Sequence, residues 1–497
     1  MKAIRMAGPP RAPALATALV LAMAAAGGAQ TPEALAEKSR EAKRMLAANR
    51  FDDAIRLYRE LAAAQPSNPG WKLSLGAAQH MAGRDREAVA TLGDLLRIRP
   101  DHGPALAMAG GSYIRLGQPA RAAGLLERAA RLMPGDLEVT RMLADAASLS
   151  GRHAVAAAAL RKLTAAGGDA PAWAQLGRAY EALSENAFTT LEQLAPGSPY
   201  WLALVAETRL KQGRSGAALS LLKEALAKRD RRDWREAAAA LYDQAGQAER
   251  AAAERAAAAR LPVPSCAVPG AECHFHAKRY LDAAAAPGQT ADVLYWRAKA
   301  YNELAREAFA QLSRFPDSAD WHAFLAGLHR NRARYDESVA EWRAALTIQP
   351  GDAGLERELA GTLLAARRYE EAEAVVRPLA RRFPADGELQ WILGESLMAQ
   401  QKHAEAIPPL KEAVRLDPAR LAAKASLGRA LQAAGSHAEA VPHLRAALPA
   451  DRDGAIHFQL SRSLAALGRA AEAAAMARKS QDLRTAAAAG TGEITPP

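Results

Sequence analysis

The chain has 497 residues, of which 50% are hydrophobic, 24% charged and only 5% aromatic, and its formal net charge is +11. Beyond the N-terminal segment there is no apolar run of about 20 residues, which excludes a protein with several transmembrane helices. Two cysteines are too few for a disulfide scaffold or a four-thiolate zinc site. The alanine-rich, aromatic-poor composition favours closely packed helices, because alanine has the highest helix propensity.

Residues 1–29 have the pattern of a secretory signal peptide. Lys2, Arg5 and Arg11 precede a short apolar stretch over 14–26, and small residues follow it. A basic start, a short apolar core and a small-residue exit typify a signal that is cleaved on export. The stretch is too short to span a bilayer, although an anchored helix stays open as the alternative. We therefore expect a periplasmic or secreted protein without integral membrane insertion, and export argues against a nucleic-acid partner.

A period of 34 residues runs through most of the chain. It is marked by prolines in two blocks: Pro66, Pro100 and Pro134, then Pro316, Pro350, Pro384 and Pro418. If each proline is position 32 of a unit, position 8 is often glycine and position 20 is alanine, as in Gly76 with Ala88 and Gly394 with Ala406. Two helices of about a dozen residues fit this length, and small residues let them cross closely. A glycine near position 15 permits a left-handed turn, and the proline ends the second helix.

This pattern resembles the tetratricopeptide repeat family, and in particular exported bacterial arrays of unassigned role, over nearly the whole mature length. The resemblance implies an all-α fold, a right-handed superhelical solenoid of about 12–13 helix-turn-helix units in two arms. One hairpin cannot bury its apolar face alone, so neighbouring units must stack. The resemblance also implies a protein or peptide partner on the concave face, which the first helices line.

The regular units divide the chain into segments. We predict a signal peptide at 1–29, an N-terminal array at 35–168, irregular units at 169–260, a Cys/Pro-rich connecting segment at 261–290, a C-terminal array at 291–483 and a disordered tail at 484–497. Residues 180–188 match 301–309 at an offset of 121, and the unit that holds the first copy lacks the usual turn glycine. Both copies predict one long or kinked helix in place of a hairpin, and a local change of superhelix pitch at each site. Four prolines make the connecting segment the natural boundary between the arms.

Cys266 and Cys273 lie in the connecting segment. In an oxidising compartment they predict one local disulfide, with two free thiols as the alternative. A minor alternative is an enzyme whose site lies between Cys266 and His276, but the spacing of His274, His276 and the cysteines matches no zinc pattern. The common hydrolase, zinc-protease and phosphate-loop motifs are absent from the sequence, so we expect no catalytic residue, metal or cofactor.

The richest groove positions lie near the C-terminus. In tetratricopeptide proteins the concave face is formed chiefly by positions 2, 5, 9, 12 and 13, and the resemblance maps a candidate partner-binding groove to Arg357, Glu388, Trp391, Glu395, Met398, Arg429, Gln432, Phe458 and Arg462. Trp391, Glu395 and Met398 share one helix face, although Trp391 has inter-repeat core as its alternative. The predicted function is a non-catalytic exported scaffold. The alternative is an accessory factor in envelope assembly or polysaccharide export, within an envelope-associated complex.

Overall fold

A computed structural model describes residues 31–262, 266 and 269–491, with side chains as far as residue 485. In this part of the chain all the regular secondary structure is helical, with 26 α-helices and two short 3-10 helices. The chain forms two compact units, the first ending at Ala166 and the second beginning at Gly167. Among the described residues there is no helix of the length and apolarity that crossing a bilayer requires.

The first unit consists of four helical hairpins with the predicted spacing. Its helices are α1 (Pro32–Ala47), α2 (Phe51–Ala64), α3 (Pro69–Met81), α4 (Asp85–Ile98), α5 (Gly103–Arg115), α6 (Pro119–Leu132), α7 (Leu137–Leu149) and α8 (His153–Ala165). From α3 onwards, each first helix begins at position 1 of its unit and each second helix at position 17. The glycine at position 15 has a positive φ as predicted, for example 73° at Gly83 and 71° at Gly151. The predicted period is therefore confirmed to the residue.

The last five hairpins of the second unit repeat this pattern. Their helices are α17 (Ala319–Asn331), α18 (Tyr335–Ile348), α19 (Ala353–Ala365), α20 (Tyr369–Arg382), α21 (Gly387–Ala399), α22 (His403–Leu416), α23 (Leu421–Ala433), α24 (His437–Ala447), α25 (Ala455–Ala466) and α26 (Ala470–Thr491). Three of these turns place a residue other than glycine at positive φ, namely Ala333, Arg367 and Gln401. Packing of the two helices thus holds the turn even where the side chain makes it costly.

Position 8 has the role that the sequence predicts for it. A Cβ atom at Gly76, Gly110, Gly394 or Gly428 would lie 2.6 Å or less from the leucine at position 24 of the same unit. Those leucines are completely buried, so they have no free space into which to move. Glycine at this position therefore sets how closely the two helices of a hairpin cross.

Two long helices replace a hairpin in the second unit, as predicted, but they pack against each other. Helix α9 (Ala170–Leu194) has 25 residues, and α16 (Ala291–Ala310) has 20 residues and continues into a 3-10 helix over Gln311–Arg314. The rings of Tyr180 and Tyr301 stack with centroids 6.1 Å apart. Ser184 donates a hydrogen bond of 3.0 Å to the carbonyl of Ala298.

The α9–α16 pair is a cross-paired version of two repeat hairpins. A Cβ at Gly177, which is position 8 of its unit, would lie 2.5 Å from Phe309 of α16. Phe309 therefore fills the place that the position-24 leucine occupies in a regular unit. At the predicted offset of 121, Ala298 corresponds to Gly177 and Phe188 to Phe309, and Phe188 packs against the core that contains Ala298. The two matching segments thus form one module, in which each long helix buries its apolar face against the other, and the change of superhelix pitch at each site stays a prediction.

Six helices lie between α9 and α16 in the chain. We call these residues, 199–285, the arm, which differs from the two arms predicted from the sequence. They are α10 (Pro199–Lys211), α11 (Ser215–Lys228), α12 (Arg232–Gln244), α13 (Ala248–Arg260), α14 (Ala271–His276) and α15 (Tyr280–Ala285). Helices α14 and α15 lie in the connecting segment, which was expected to be irregular. Phe275 packs against Trp296 of α16 with ring centroids 4.9 Å apart. Through such contacts α14 and α15 pack within the second unit, and the division between the two compact units falls at 166/167.

The two ends of the chain differ in how far the predictions extend. Helix α26 runs to Thr491, so the tail predicted to be disordered from residue 484 is helical over its first eight residues. The alanine run at 486–489 explains this difference, because alanine has the highest helix propensity. The predicted signal peptide at 1–29 and the last six residues, 492–497, lie outside the described residues.

Glu373 of α20 bridges two successive units. Its carboxylate accepts hydrogen bonds from Arg377 in its own helix (2.6 Å) and from Gln400 (2.8 Å) and Lys402 (3.0 Å) of the next unit. Burial alone would raise its pKa, but the bonds from these three side chains outweigh burial and lower the pKa of Glu373 to about 2. The bridge therefore stabilises the stack only while the carboxylate is charged.

Glu373→Gln is expected to cost roughly 1–2 kcal/mol at pH 7. Since the pKa in the folded state lies below its ordinary value of 4.5, this stabilisation is complete above pH 4.5 and is lost as the pH falls towards 2. Urea unfolding at pH 7 and at low pH measures the difference in the free energy of unfolding between wild type and Glu373→Gln. Glu370→Gln, at an exposed neighbour, is the control. A gap for Glu373→Gln that stays constant with pH would contradict the assignment.

Candidate partner-binding groove

First helices line the inner face of each stack. Successive first helices contact each other directly, as α3 does with α5, α5 with α7, α19 with α21, α21 with α23, and α23 with α25. In a curved stack the helices that approach most closely are those on the inner side. The positions predicted to face the groove therefore lie on the concave surface of each stack of repeats.

The concave face of the second unit contains a cavity of about 630 Å³, which we call the central groove. It lies among α9, α16, α17 and α19. All five predicted concave positions of α17 line it, namely Asp320, Ala323, Gly327, Arg330 and Asn331. Phe309 and Phe324 form part of its wall, with stacked rings whose centroids are 5.0 Å apart, and Trp342 also lines it. An aromatic surface of this kind buries apolar side chains well.

The charges in the central groove are unevenly matched. Asp320 has a side chain only 17% exposed, and its nearest cationic nitrogen, on Arg178, is 3.9 Å away. Burial raises the pKa of Asp320. Arg330, in contrast, is paired directly with Glu358. At Gly327 a Cβ would meet nothing within 4 Å, so there is open space for a side chain that enters from outside.

Arg357 is the sequence-predicted residue that lines the central groove. Its guanidinium pairs with Asp386, which also caps the N-terminus of α21. The Nε of Arg357 is buried, and among the described residues it has no acceptor. The other eight predicted residues lie farther along the array, on α21, α23 and α25.

The predicted residues of α21 are largely engaged with the next unit. Trp391 is partly buried against the C-terminal core, and its indole donates a 3.3 Å hydrogen bond to Ser426. Met398 packs against the same core. Glu395 accepts a 2.7 Å hydrogen bond from Arg429, and Glu388 lies 3.9 Å from the guanidinium of Arg420. Trp391 therefore contacts the neighbouring repeat, and a role for it in partner binding stays a prediction.

Gln432 is a structural bridge and not a free groove residue, which corrects the sequence-based assignment. It is 9% exposed, and its amide donates to the carbonyl of Gln459 (2.6 Å) and to Ser463 (2.8 Å) on α25. Phe458 is 43% exposed, with the guanidinium of Arg484 5.6 Å from its ring centre, and Arg462 is exposed. The position of a residue in the repeat predicts the helix face on which it lies. It does not predict which neighbouring residues of the same chain bond to its side chain.

A second cavity, of about 650 Å³, was not predicted from sequence. It lies between the C-terminal half of α9 and α10, with α16 behind, and we call it the arm groove. Its wall contains Phe188, Trp201 and Leu204. At offsets of 121 and 120, Phe188 and Leu204 correspond to Phe309 and Phe324 of the central groove. The two matching segments could therefore have predicted two related grooves. That prediction requires the knowledge that α9 and α16 pack against each other, which the sequence match does not provide.

A cluster in the first unit contains the residue types of a hydrolase triad without its geometry. His80 Nδ1 lies 2.7 Å from the hydroxyl of Ser112 and 3.4 Å from Asp85. In a triad the base contacts the nucleophile and the carboxylate through opposite ring nitrogens, whereas here both contacts are at Nδ1. Ser112 is also completely buried. Arg115 donates to Asp85 at 2.6 Å, so the cluster connects neighbouring units.

The two cysteines of the arm lie side by side. Their sulfur atoms are 2.12 Å apart and their Cα atoms 5.1 Å apart. His276, at the end of α14, packs on Trp296 with ring centroids 5.0 Å apart. Within the described ranges, no group of three or more His, Cys, Asp or Glu side chains is placed to hold a metal ion.

In the oxidising compartment that the sequence predicts, we expect Cys266 and Cys273 to form a disulfide. A thiol-alkylating reagent should then label neither cysteine of the protein isolated from the envelope, and should label both after reduction. Intact mass would rise on reduction by the mass of two hydrogen atoms. Labelling of both cysteines without reductant would leave the two-thiol alternative standing.

Comparison with known proteins identifies the class. Models of the tetratricopeptide repeat match residues 45–110, 113–180, 357–420 and 397–457. These segments include hairpins of both compact units. The chain is a tetratricopeptide repeat protein, and the repeats make it a scaffold for protein–protein interaction.

Relatives of this chain match only parts of it. "Cellulose synthase 2 operon protein C" of Komagataeibacter xylinus is 37% identical over 115 residues, which are 23% of this chain and 9% of that relative's length. TTC0263, a thermophilic TPR protein in Thermus thermophilus, is 23% identical, with 35% of this chain and 98% of that chain covered and a TM-score of 0.29. YrrB, described as a TPR protein with an unusual peptide-binding site, is 20% identical, with 36% and 93% covered and a TM-score of 0.31.

Proposed function

We propose that this chain is a non-catalytic exported scaffold that binds a peptide or protein partner on the concave face of its second unit, at the central groove. One observation carries the proposal: all five concave positions of α17 line a single cavity with an aromatic wall. The cavity is open at Gly327, so the groove has room for a partner's side chain without rearrangement.

The chemistry of the groove favours a segment with an apolar anchor. Phe309 and Phe324 offer a stacked surface against which an apolar side chain gains about 1.5–3 kcal/mol on burial. Asp320 lies beside this surface with only a distant cation, so it is suited to accept a hydrogen bond from a backbone N–H or a basic group of the partner. The partner thus needs one apolar residue next to one donor.

Blocking the groove tests this proposal. Gly327→Trp is expected to fill the cavity, and the helix accommodates the new Cβ because an atom there meets nothing within 4 Å. Gly124→Trp, on the second helix α6, is the matched control, since its Cβ site is equally open. Crosslinking in the native envelope, followed by identification of captured proteins, should recover the same partners with wild type and Gly124→Trp and lose them with Gly327→Trp. Partners retained by Gly327→Trp would refute the central groove as the binding site.

Export rests on the signal-like pattern of residues 1–29. The mature protein should be recovered from the periplasmic or secreted fraction, with its N-terminus near residue 27 or 30. Terminal sequencing of the purified protein decides the matter. A protein that keeps Met1 and stays in the cytoplasmic fraction would contradict export.

A second candidate is an accessory role in envelope assembly or polysaccharide export. It is supported by the likeness over 115 residues to a protein named for a cellulose synthase operon. It predicts co-purification with envelope machinery and loss of an exported polymer in a deletion strain. Restoration by Gly124→Trp but not by Gly327→Trp would join this role to the central groove, whereas unchanged polymer in the deletion strain would exclude it.

A further inference from the structure

The arm groove is bordered by two helix faces with regular spacing. On α9, Glu181, Glu185, Phe188 and Glu192 line the groove at intervals of four, three and four residues. On α10, Trp201, Leu204 or Val205, and Thr208 line it at intervals of three or four. Alternation of three and four residues is the spacing at which one α-helix packs along another. The two faces together therefore have the periodicity that a third helix would match.

The wall on the α10 side is apolar and contains one hydrogen-bond donor without an acceptor. Trp201 is partly buried against the core, and its indole Nε1 has no hydrogen-bond acceptor in the described part of the chain. Leu204 and Val205 continue this wall, and Phe188 faces it from α9. A groove between helices that presents aromatic and aliphatic side chains binds the apolar face of an amphipathic helix.

The wall on the α9 side carries unneutralised negative charge. Glu185 and Glu192 are exposed, and no arginine or lysine nitrogen of the described residues lies within 4.0 Å of either carboxylate. Glu207, in contrast, is paired with Lys299 at 2.5 Å. The chain as a whole has a net charge of +11, so attraction of a cation here is local and not a property of the entire surface.

Three cationic side chains also line the groove. They are Arg209, Lys211 and Arg452. Arg209 donates a hydrogen bond to Gln212. Burial raises the pKa of Glu181, and the positive charge of Lys211 opposes this rise. Glu185 and Glu192, which have no cationic nitrogen within 4.0 Å among the described residues, are therefore the carboxylates that remain available to a basic ligand.

We propose that the arm groove binds an amphipathic α-helix of a partner protein, whose apolar face contacts Trp201, Leu204 and Phe188 and whose basic flank pairs with Glu185 and Glu192. The stripe from Glu181 to Glu192 rises about 17 Å, so the bound helix has about three turns. This site shares Glu181 with the central groove but has its own apolar wall, and it does not depend on the function proposed for the central groove.

Two synthetic helical peptides of about 14 residues test the proposal. Both carry leucines at heptad spacing, and one carries lysines along one flank where the other carries glutamates. Fluorescence anisotropy with the full-length protein should show binding of the lysine peptide, weakened by salt, and none of the glutamate peptide. Equal binding of both peptides, or binding of neither, overturns the proposal.

Charge reversal places the binding in the groove. Glu185→Lys with Glu192→Lys should weaken the lysine peptide about tenfold or more and allow the glutamate peptide to bind. Glu33→Lys with Glu41→Lys is the matched control: it changes net charge equally at two exposed glutamates of α1, and should alter affinity less than about twofold. Circular dichroism verifies that both variants keep their helix content. An equal loss in the control would reduce the effect to overall charge and refute the site.

The two grooves are distinguishable in the same assay. Gly327→Trp, which blocks the central groove, should leave peptide affinity unchanged. Loss of peptide binding in Gly327→Trp, with no loss in the Glu185/Glu192 reversal, would assign the peptide to the central groove and overturn the inference.

Discussion

Gly394→Ala is expected to destabilise the C-terminal array, although alanine is the better helix former. The added Cβ would lie 2.5 Å from Cδ2 of Leu410, which is completely buried. Overpacking of this kind costs about 1–3 kcal/mol and outweighs the gain of about 1 kcal/mol in helix propensity. Hydrogen exchange of α21 and α22 in the full chain, together with urea unfolding, measures the loss.

Gly361→Ala is the matched control for this prediction. Gly361 lies in α19, one position further along its unit, where a Cβ would meet nothing within 4 Å. The same substitution should stabilise the protein there by about 0.5–1 kcal/mol. Opposite signs at the two glycines would establish that helix crossing, and not helix propensity, selects glycine at position 8. Equal effects of the two substitutions would contradict this explanation.

Gly177→Val is expected to loosen two helices that are more than 100 residues apart in the sequence. The new side chain would enter the space of Phe309, whose Cε1 lies 2.5 Å from the Cβ site. We expect a loss of about 2–4 kcal/mol, since this contact takes the place of the contact between positions 8 and 24 of a regular hairpin. Amide exchange should accelerate together in α9 and α16, whereas α1 to α8 should be unaffected.

A compensating substitution separates this contact from a general defect. Gly177→Ala with Phe309→Leu exchanges volume across the same contact, so the pair should recover part of the stability that Gly177→Ala loses alone. A double variant no more stable than Gly177→Ala would show that the two residues do not share a contact.

The regular hairpins were predictable because their signals are local. A proline every 34 residues, glycine at position 8 and a turn at position 15 each act within one unit, so the helix starts at Pro69, Gly103 and Ala353 follow from counting. The turns at Arg367 and Gln401 lack glycine but keep the same spacing, because packing of the two helices imposes the left-handed backbone conformation there.

The candidate site was less predictable because it depends on contacts between distant parts of the chain. The central groove requires α9 to lie beside α17, and α9 packs there together with α16. Position numbers also could not tell Arg357, which lines the groove, from Gln432, which bonds to α25. The offset of 121 carried the missing information, but a sequence match does not reveal that its two copies touch.

Photo-crosslinking from position 309 tests the α9–α16 pairing most directly. Phe309→p-benzoylphenylalanine keeps an aromatic ring at the contact, and irradiation of the purified full chain links it to its nearest neighbours. Mass spectrometry of the digest should identify links to the part of α9 around Gly177, as well as to α17 around Phe324. Links confined to α17 and to the rest of α16, with none to α9, would contradict the cross-paired module and the groove built on it.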